Sequence, residues 1–174
     1  VNTIEYGAFK DNNKITSVKI PSTVTQIGNS YGSGAFENCA NLKSVSIAAG
    51  AETAYIGDAA FKDCTSLEEI TVPGNYTTIY SDAFRGCRSL KKFVYNDNGI
   101  SRKIQNRAFY ECTSLVSLSL PTSLNSIGDE AFSGCSSLTA VDIPEGVKLI
   151  EYGVFNNCKL LKKVVIPSTI QRIG

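Results

Sequence analysis

Residues 127–144 read IGDEAFSGCSSLTAVDIP, and residues 56–73 read IGDAAFKDCTSLEEITVP, so the two stretches share one pattern. The phenylalanine of that pattern recurs at positions 9, 36, 61, 84, 109, 132 and 155, in steps of 27, 25, 23, 25, 23 and 23 residues. Internal repetition with a period of about 20–50 residues is typical of solenoids and other repeat architectures. The sequence therefore predicts a stacked array of about seven repeats of ~23 residues.

Each repeat contains an alternating apolar pair, such as Val141 and Ile143, which is followed by Pro144. Alternation of this kind predicts a short strand with one buried face. Proline ends the strand because it has no N–H for the ladder. With one strand per repeat, stacked repeats must pair their strands in parallel, and their apolar sides then form one continuous core.

The segment around each phenylalanine predicts a short helical turn, since Phe and Cys three residues apart fit one helix face. Residues that cap helix N-termini lie three positions before Phe: Ser33, Asp58, Ser81, Asn106 and Asp129. Residues that tolerate the left-handed conformation lie two positions after Phe: Asp11, Asn38, Asp63, Gly86, Gly134 and Asn157. The predicted fold is thus an α/β solenoid in which each repeat is a short parallel β-strand plus a short helical turn.

The repeat resembles the BspA-like class of leucine-rich repeats, whose pattern I-G-x-x-A-F-x-x-C-x-x-L-x-x-[VI]-x-[LI]-P stands almost unchanged at 56–73 and 127–144. The resemblance covers essentially the whole chain. It implies a right-handed leucine-rich-repeat superhelix. It also implies a surface or secreted protein of a bacterium or a parasitic protist, with a role in adhesion to host proteins or to other cells.

Composition argues against several other classes of function. The net charge is +1, which gives no electrostatic footprint for nucleic acid or anionic lipid. No apolar run approaches the roughly 20 residues that span a bilayer. Histidine is absent, and it is the commonest general base and metal ligand. We therefore expect no enzyme activity, no catalytic residue, no cofactor and no metal site.

The six cysteines occupy one position of the repeat, at 39, 64, 87, 112, 135 and 158. An even count in a surface protein invites a disulfide interpretation. Stacked equivalents would have parallel Cα–Cβ bonds about 4.8 Å apart, however, when a disulfide prefers Cβ atoms nearer ~3.8 Å apart. We interpret the cysteines as a ladder of buried free thiols that pack as small apolar side chains.

Outward positions of the predicted strands give a candidate binding surface. Two columns run along it, one with Ser44, Glu69, Lys92 and Ser117, the other with Ser46, Thr71, Val94 and Ser119. The surface is small and mixed, without the aromatic cluster typical of interface hot spots. Glu68-Glu69 and Lys91-Lys92 lie on adjacent strands, where cross-strand charge pairing explains them better than a ligand site does.

Three insertions add a second candidate feature. Four extra residues follow Gly28, around Tyr31, and two extra residues fall in each of the segments 48–55 and 96–103. Insertions on one face of a repeat array often form a binding edge, and Tyr31 and Tyr55 join the candidate surface, with Tyr76 and Tyr80 nearby. The alternative is free drift of loop length, which costs little. Asn75-Tyr76-Thr77 is also a glycosylation sequon, meaningful only in a eukaryotic secreted protein.

Val1 and Ile4 occupy the same repeat positions as Ile170 and Ile173, and neither end has a polar capping repeat. We expect residues 1–174 to be a single array, either a segment of a longer array or one that associates end to end. The leading hypothesis is an extracellular or cell-surface module that binds protein or glycan ligands. The alternative is a structural spacer that displays another domain.

Overall fold

The apolar pair of each repeat forms a strand, as its alternation predicts. The computed structural model describes residues 1–174, and in it five of these strands form a parallel sheet, here called the first sheet. Its members in spatial order are β2 (Ser17–Ile20), β4 (Ser44–Ile47), β6 (Glu69–Val72), β8 (Lys92–Tyr95) and β10 (Ser117–Ser119). Equivalent residues stand side by side, since Val18 pairs with Val45 and Ile70 with Phe93.

A second strand in each repeat was not predicted. It lies between the proline and the phenylalanine, around the single isoleucine, and builds a second parallel sheet. Its members in spatial order are β1 (Thr3–Ile4), β3 (Gln26–Ile27), β5 (Ala54–Ile56), β7 (Tyr76–Ile79), β9 (Arg102–Ile104) and β11 (Leu124–Ile127). The crossover of each repeat is therefore itself a β-element, so the fold is a parallel β-solenoid of about seven turns.

Both sheets are interrupted between the repeats of Phe109 and Phe132. The remaining strands form two separate pairs, β12 (Ala140–Asp142) with β14 (Lys163–Val165) and β13 (Leu149–Ile150) with β15 (Arg172–Ile173). The phenylalanine segments bridge this interruption, because the Phe109 N–H donates to Ala131 O at 2.8 Å. The array is thus continuous on the phenylalanine side even where the sheets are not.

The predicted helical turn is wrong, because the structure contains no helix. The residues two positions after each Phe do have positive φ, between 57° and 78°, as their types predicted. The residues two positions before Phe also have positive φ in six of the seven repeats, as at Ala59 with 52°. Two left-handed residues on either side of Phe turn the chain sharply twice, so no helical hydrogen-bond ladder can form.

Backbone hydrogen bonds between repeats replace that ladder. The Phe61 N–H donates to Ala83 O at 2.7 Å, and the Asp63 N–H donates to Arg85 O at 2.7 Å. The side chains predicted as helix caps also act between repeats: Asp58 Oδ1 accepts the Ser81 N–H at 3.0 Å, and Asp129 Oδ1 accepts the Tyr152 N–H at 3.1 Å. The turns therefore stack as a third hydrogen-bonded side of the solenoid.

The core is one cluster of 40 buried residues that runs the length of the array. Its central feature is a stack of the seven repeat phenylalanines, whose neighbouring rings lie 5.0–5.9 Å apart with interplanar angles of at most 11°. Because one repeat cannot bury its apolar side alone, each ring is covered by the rings before and after it. Stability is consequently shared between neighbouring repeats.

Candidate binding surfaces

The two predicted columns lie on the outer face of the first sheet, with the register that the repeat implies. We call this surface the serine face: Ser44, Ser46, Glu69, Thr71, Lys92, Val94, Ser117 and Ser119. Glu69 pairs with Lys92, and Val94 stands between Thr71 and Ser119. All eight residues are exposed except Val94, which is half-buried. The serine face is an open surface of five small hydroxyl side chains, with Glu69, Lys92 and Val94 among them.

One of the two predicted charge pairs across this edge is formed. Lys91 Nζ lies 3.0 Å from Glu68 Oε2, and both side chains are largely exposed. Glu69 and Lys92 are register partners on neighbouring strands but form no ion pair. An exposed pair such as Glu68–Lys91 contributes about 0–1 kcal/mol. Glu69 and Lys92 therefore remain the free charges of the serine face.

Tyr31 and Tyr55 do not lie on the serine face. Tyr55 is on β5 of the second sheet, and its ring meets that of Tyr80 at 5.3 Å between centroids with an interplanar angle of 66°. Tyr31 is 74% exposed in the inserted loop after Gly28, and its N–H donates to Asn29 Oδ1 at 3.1 Å. We call Tyr31, Tyr55 and Tyr80 the tyrosine patch. The candidate residues thus form two surfaces on two sheets.

The pKa of Tyr55 depends on its neighbours in and beside the tyrosine patch. Burial raises the pKa of the Tyr55 hydroxyl, and the nearby Tyr80, Glu5 and Tyr31 raise that pKa further in this order, because each disfavours a second negative charge. Glu5 follows β1, whose Ile4 pairs with Ile27, which in turn pairs with Ile56 beside Tyr55. Tyr55 and Tyr80 are therefore in contact, and Glu5 and Tyr31 lie close enough to Tyr55 to affect its ionisation.

Tyr76 and Asn75 are structural rather than accessible. Tyr76 is fully buried in the core, and its hydroxyl donates to Val24 O at 3.0 Å. The buried Asn75 amide donates to Glu52 O at 3.0 Å and accepts the Gly50 N–H at 3.3 Å. Asn75 thereby ties down the inserted segment that begins after β4. Its amide nitrogen is buried and hydrogen-bonded in the folded chain.

Arg102 holds the other inserted segment and was not singled out in the sequence. Its side chain is 0% exposed and lies in a core position that Leu124 fills in the next repeat. The guanidinium lies 3.1 Å from Asp97 Oδ1, donates to Ile100 O and Asn98 Oδ1 at 2.5 Å, and also donates to Ser123 Oγ and Gly74 O. The carbonyls and side chains of the loop thus converge on one buried cation.

Asp97 completes this network. Its carboxylate accepts the Thr122 hydroxyl at 2.6 Å, the Ser123 hydroxyl at 2.6 Å and the Gly99 N–H at 2.8 Å. Hydrogen bonds from Ser123, Thr122 and the Gly99 backbone hold the pKa of Asp97 far below its usual range. The loop 96–101 is therefore fixed at its base while Ile100 remains 46% exposed.

Five of the six cysteines are buried thiols and Cys158 is half-buried, and each also makes a hydrogen bond that the sequence did not indicate. The Sγ–H of Cys39 donates to Phe9 O at 3.0 Å, and the same bond recurs in every later repeat at 3.1–3.3 Å. Burial raises the pKa of all six thiols, most strongly in the middle of the array. The cysteine ladder therefore links neighbouring repeats and carries thiols of low reactivity.

This placement predicts the order in which the thiols react. Cys158 is half-buried and burial raises its pKa to about 11, whereas the other five thiols, including Cys39, are buried. In the native protein at pH 8 we expect iodoacetamide to modify Cys158 first, a few hundredfold more slowly than a free cysteine. Peptide mass spectrometry at timed intervals measures this order. Modification of Cys87 before Cys158 would contradict it, and denatured protein is the control.

Both ends of the array expose apolar side chains. A cavity of about 600 Å³ is lined at the first repeat by Ile4, Phe9, Ile15 and Val18 among others. At the other end Ile166 and Ile173 are half or more exposed. The expected apolar ends are therefore present. That further repeats or a second molecule cover these apolar ends stays a prediction.

The structure holds no helix capable of crossing a lipid bilayer.

Comparison with known proteins identifies the class to which this solenoid belongs. Residues 1–101 and 98–174 match, in six copies, the family described as the BspA type leucine rich repeat region. The chain belongs to this family. Repeat modules of this family mediate protein interactions and are typically non-catalytic. None of the curated proteins compared with the chain matches it.

Solved bacterial structures share the fold. A leucine-rich repeat protein of T. pallidum is 31% identical with a TM-score of 0.79, over 92% of this chain and 74% of that one. A leucine-rich repeat protein from Bacteroides ovatus is 24% identical with a TM-score of 0.57, over 91% and 57%. A leucine rich cell surface protein from Faecalibacterium prausnitzii is 23% identical with a TM-score of 0.52, over 98% and 62%. The last two likenesses concern the fold alone.

Proposed function

We propose that this array is an extracellular or cell-surface interaction module that binds a protein ligand through the serine face. The observation that carries the proposal is the exposed, in-register pair of columns on the first sheet. Core positions repeat along the array, whereas these outward positions vary from strand to strand. A rigid sheet with variable side chains at fixed spacing suits recognition of a macromolecule. Family membership supports the location.

A cell-binding assay tests the proposal with matched variants. The labelled array would be titrated onto intact bacterial and epithelial cells, before and after protease treatment of the cells. Thr71→Arg with Ser119→Arg places two bulky cations on either side of Val94. We expect this double variant to lose at least about tenfold in affinity, the effect of blocking a central hot spot. Protease treatment should abolish binding of the unmodified array.

The control is Ser126→Arg with Gln171→Arg, which adds the same charge at positions outside both the serine face and the tyrosine patch. This control should bind as the unmodified array does. Equal affinity of all three proteins would refute the serine face as the binding surface. Saturable binding to neither cell type would favour the second candidate, a structural spacer. The small side chains and lack of aromatic residues on the serine face are the observation that favours a spacer.

A further inference from the structure

The tyrosine patch has features that the packing of the array does not require. In the columns that hold Tyr55 and Tyr80, the neighbouring repeats place Thr78 and Gln105, and the solenoid continues unchanged. Tyr55 and Tyr80 meet at 66°, so their two ring faces point in different directions. Tyr31 adds a third ring from the inserted loop. Two aromatic rings are thus in contact on an otherwise polar sheet face, and a third lies near them on the inserted loop.

The charges around the patch favour a cation. Glu5 lies near Tyr55 and forms no ion pair, whereas Glu151, its equivalent in the last repeat, lies 3.2 Å from Arg172. Aromatic ring faces carry partial negative charge and attract ammonium and guanidinium groups within about 6 Å. The two cation–π contacts of the array are Arg85 with Tyr110 and Arg102 with Tyr95, so no cation of the chain lies over a ring of the patch. The patch therefore has three ring faces, one free carboxylate and no cation of its own.

We propose that the tyrosine patch, with Glu5 at its edge, binds a lysine or arginine side chain of a partner protein. This surface belongs to the second sheet and is independent of the serine face. The patch is open rather than enclosed, since Tyr31 is largely exposed and Tyr55 and Tyr80 are half-buried. An open surface suits a long side chain of a partner protein, because such a side chain can extend and place its cation between the rings and the carboxylate. A small quaternary ammonium compound would require a closed cage.

Three short peptides and one small cation test the assignment. Each peptide is neutral apart from a single central residue, which is lysine, arginine or the uncharged isostere norleucine. Tetramethylammonium is the small cation. Tyrosine ring resonances of isotope-labelled array report binding by NMR. We expect the lysine and arginine peptides to shift the resonances of Tyr55 and Tyr80, and the norleucine peptide to leave them unchanged.

Variants that copy neighbouring repeats avoid disturbing the fold. Tyr55→Thr and Tyr80→Gln install the residues of the next strand, and Glu5→Gln removes only the charge. Each should weaken the lysine peptide about two- to fivefold, the factor for one exposed cation–π contact or ion pair. Tyr152→Leu is the matched control, because Tyr152 is exposed beside an already paired carboxylate. Circular dichroism confirms the fold of every variant.

The possible outcomes separate clearly. Equal shifts with the norleucine peptide would show an apolar contact and overturn the proposal. Unchanged resonances with all four probes would overturn it as well. Tighter binding of tetramethylammonium than of either basic peptide would assign the patch to small organic cations and overturn the protein partner. Loss of binding in Tyr152→Leu would place the site elsewhere. None of these results depends on the serine face.

Discussion

Replacement of Phe84 by alanine is expected to lower the free energy of unfolding by about 3–5 kcal/mol, the usual range for a fully buried phenylalanine. Phe84 is 0% exposed and stacks between Phe61 at 5.3 Å and Phe109 at 5.1 Å. The vacated volume would lie in the middle of the ring stack, where both neighbouring repeats lose a packing surface. Urea denaturation followed by circular dichroism measures the loss.

Phe9→Ala is the matched control. Phe9 is 41% exposed and stacks on one ring only, that of Phe36 at 5.0 Å. Its loss should therefore be about 1–2 kcal/mol, since less apolar surface leaves the core. Because repeat arrays are stabilised by nearest-neighbour contacts, Phe84→Ala should also broaden the transition. Equal losses in the two variants would show that the ring stack is not what joins the repeats.

The first sheet was predictable because its signal is dense. Two inward apolar residues, one proline and a fixed repeat length specify the strand, its end and its register together. The outward columns follow from the same alternation, which is why all eight residues of the serine face lie where the sequence places them. The second sheet has a weaker signal in the sequence. Its strands are two to four residues long and carry one recurrent isoleucine, too short a pattern for a periodicity.

The turn around phenylalanine was misjudged for a different reason. Phe and Cys three residues apart fit a helix, but they fit equally a turn whose N–H groups pair with the next repeat. Glycine, aspartate and asparagine after Phe do indicate positive φ. Ala59, Arg107 and Glu111 adopt positive φ without being such residues. Inter-repeat hydrogen bonds impose that conformation, and no local propensity encodes them.

The residues of the candidate surfaces also differ in how far the sequence could predict their positions. Tyr31 and Tyr55 could not be assigned to a sheet before the second sheet was known. A basic pair at 102–103 suggests an exposed surface, and this masks the buried position of Arg102. Strict alternation back from the buried Ile104 places Lys103 outward and Arg102 inward, and that signal was present in the sequence. The charge of Arg102 makes an inward position unexpected. The polar groups of the inserted loop bind the guanidinium and so explain why a charged side chain is buried there.

Replacement of Arg102 by alanine is expected to lower the free energy of unfolding by roughly 2–4 kcal/mol, because it leaves buried carbonyls without a donor and removes the partner of Asp97. Urea denaturation measures this loss, and hydrogen exchange of the amides of residues 97–101 measures the order of the loop. Protection of Gly99 and Ile100, whose N–H groups donate to Asp97 and Asn98, should fall in the variant.

Arg102→Leu distinguishes the effect of Arg102 on the loop from its effect on the stability of the core. Leucine is the residue that the next repeat places in this core position, so it should restore most of the lost stability while the loop stays unprotected. The pH dependence of the free energy of unfolding gives an independent check on Asp97. Because the pKa of Asp97 is depressed in the folded protein, its contribution to that free energy is complete above its unfolded pKa of about 4. The contribution declines as the pH falls below that value. Full loop protection in Arg102→Leu would show that Asp97, Thr122 and Ser123 hold the loop without the buried cation.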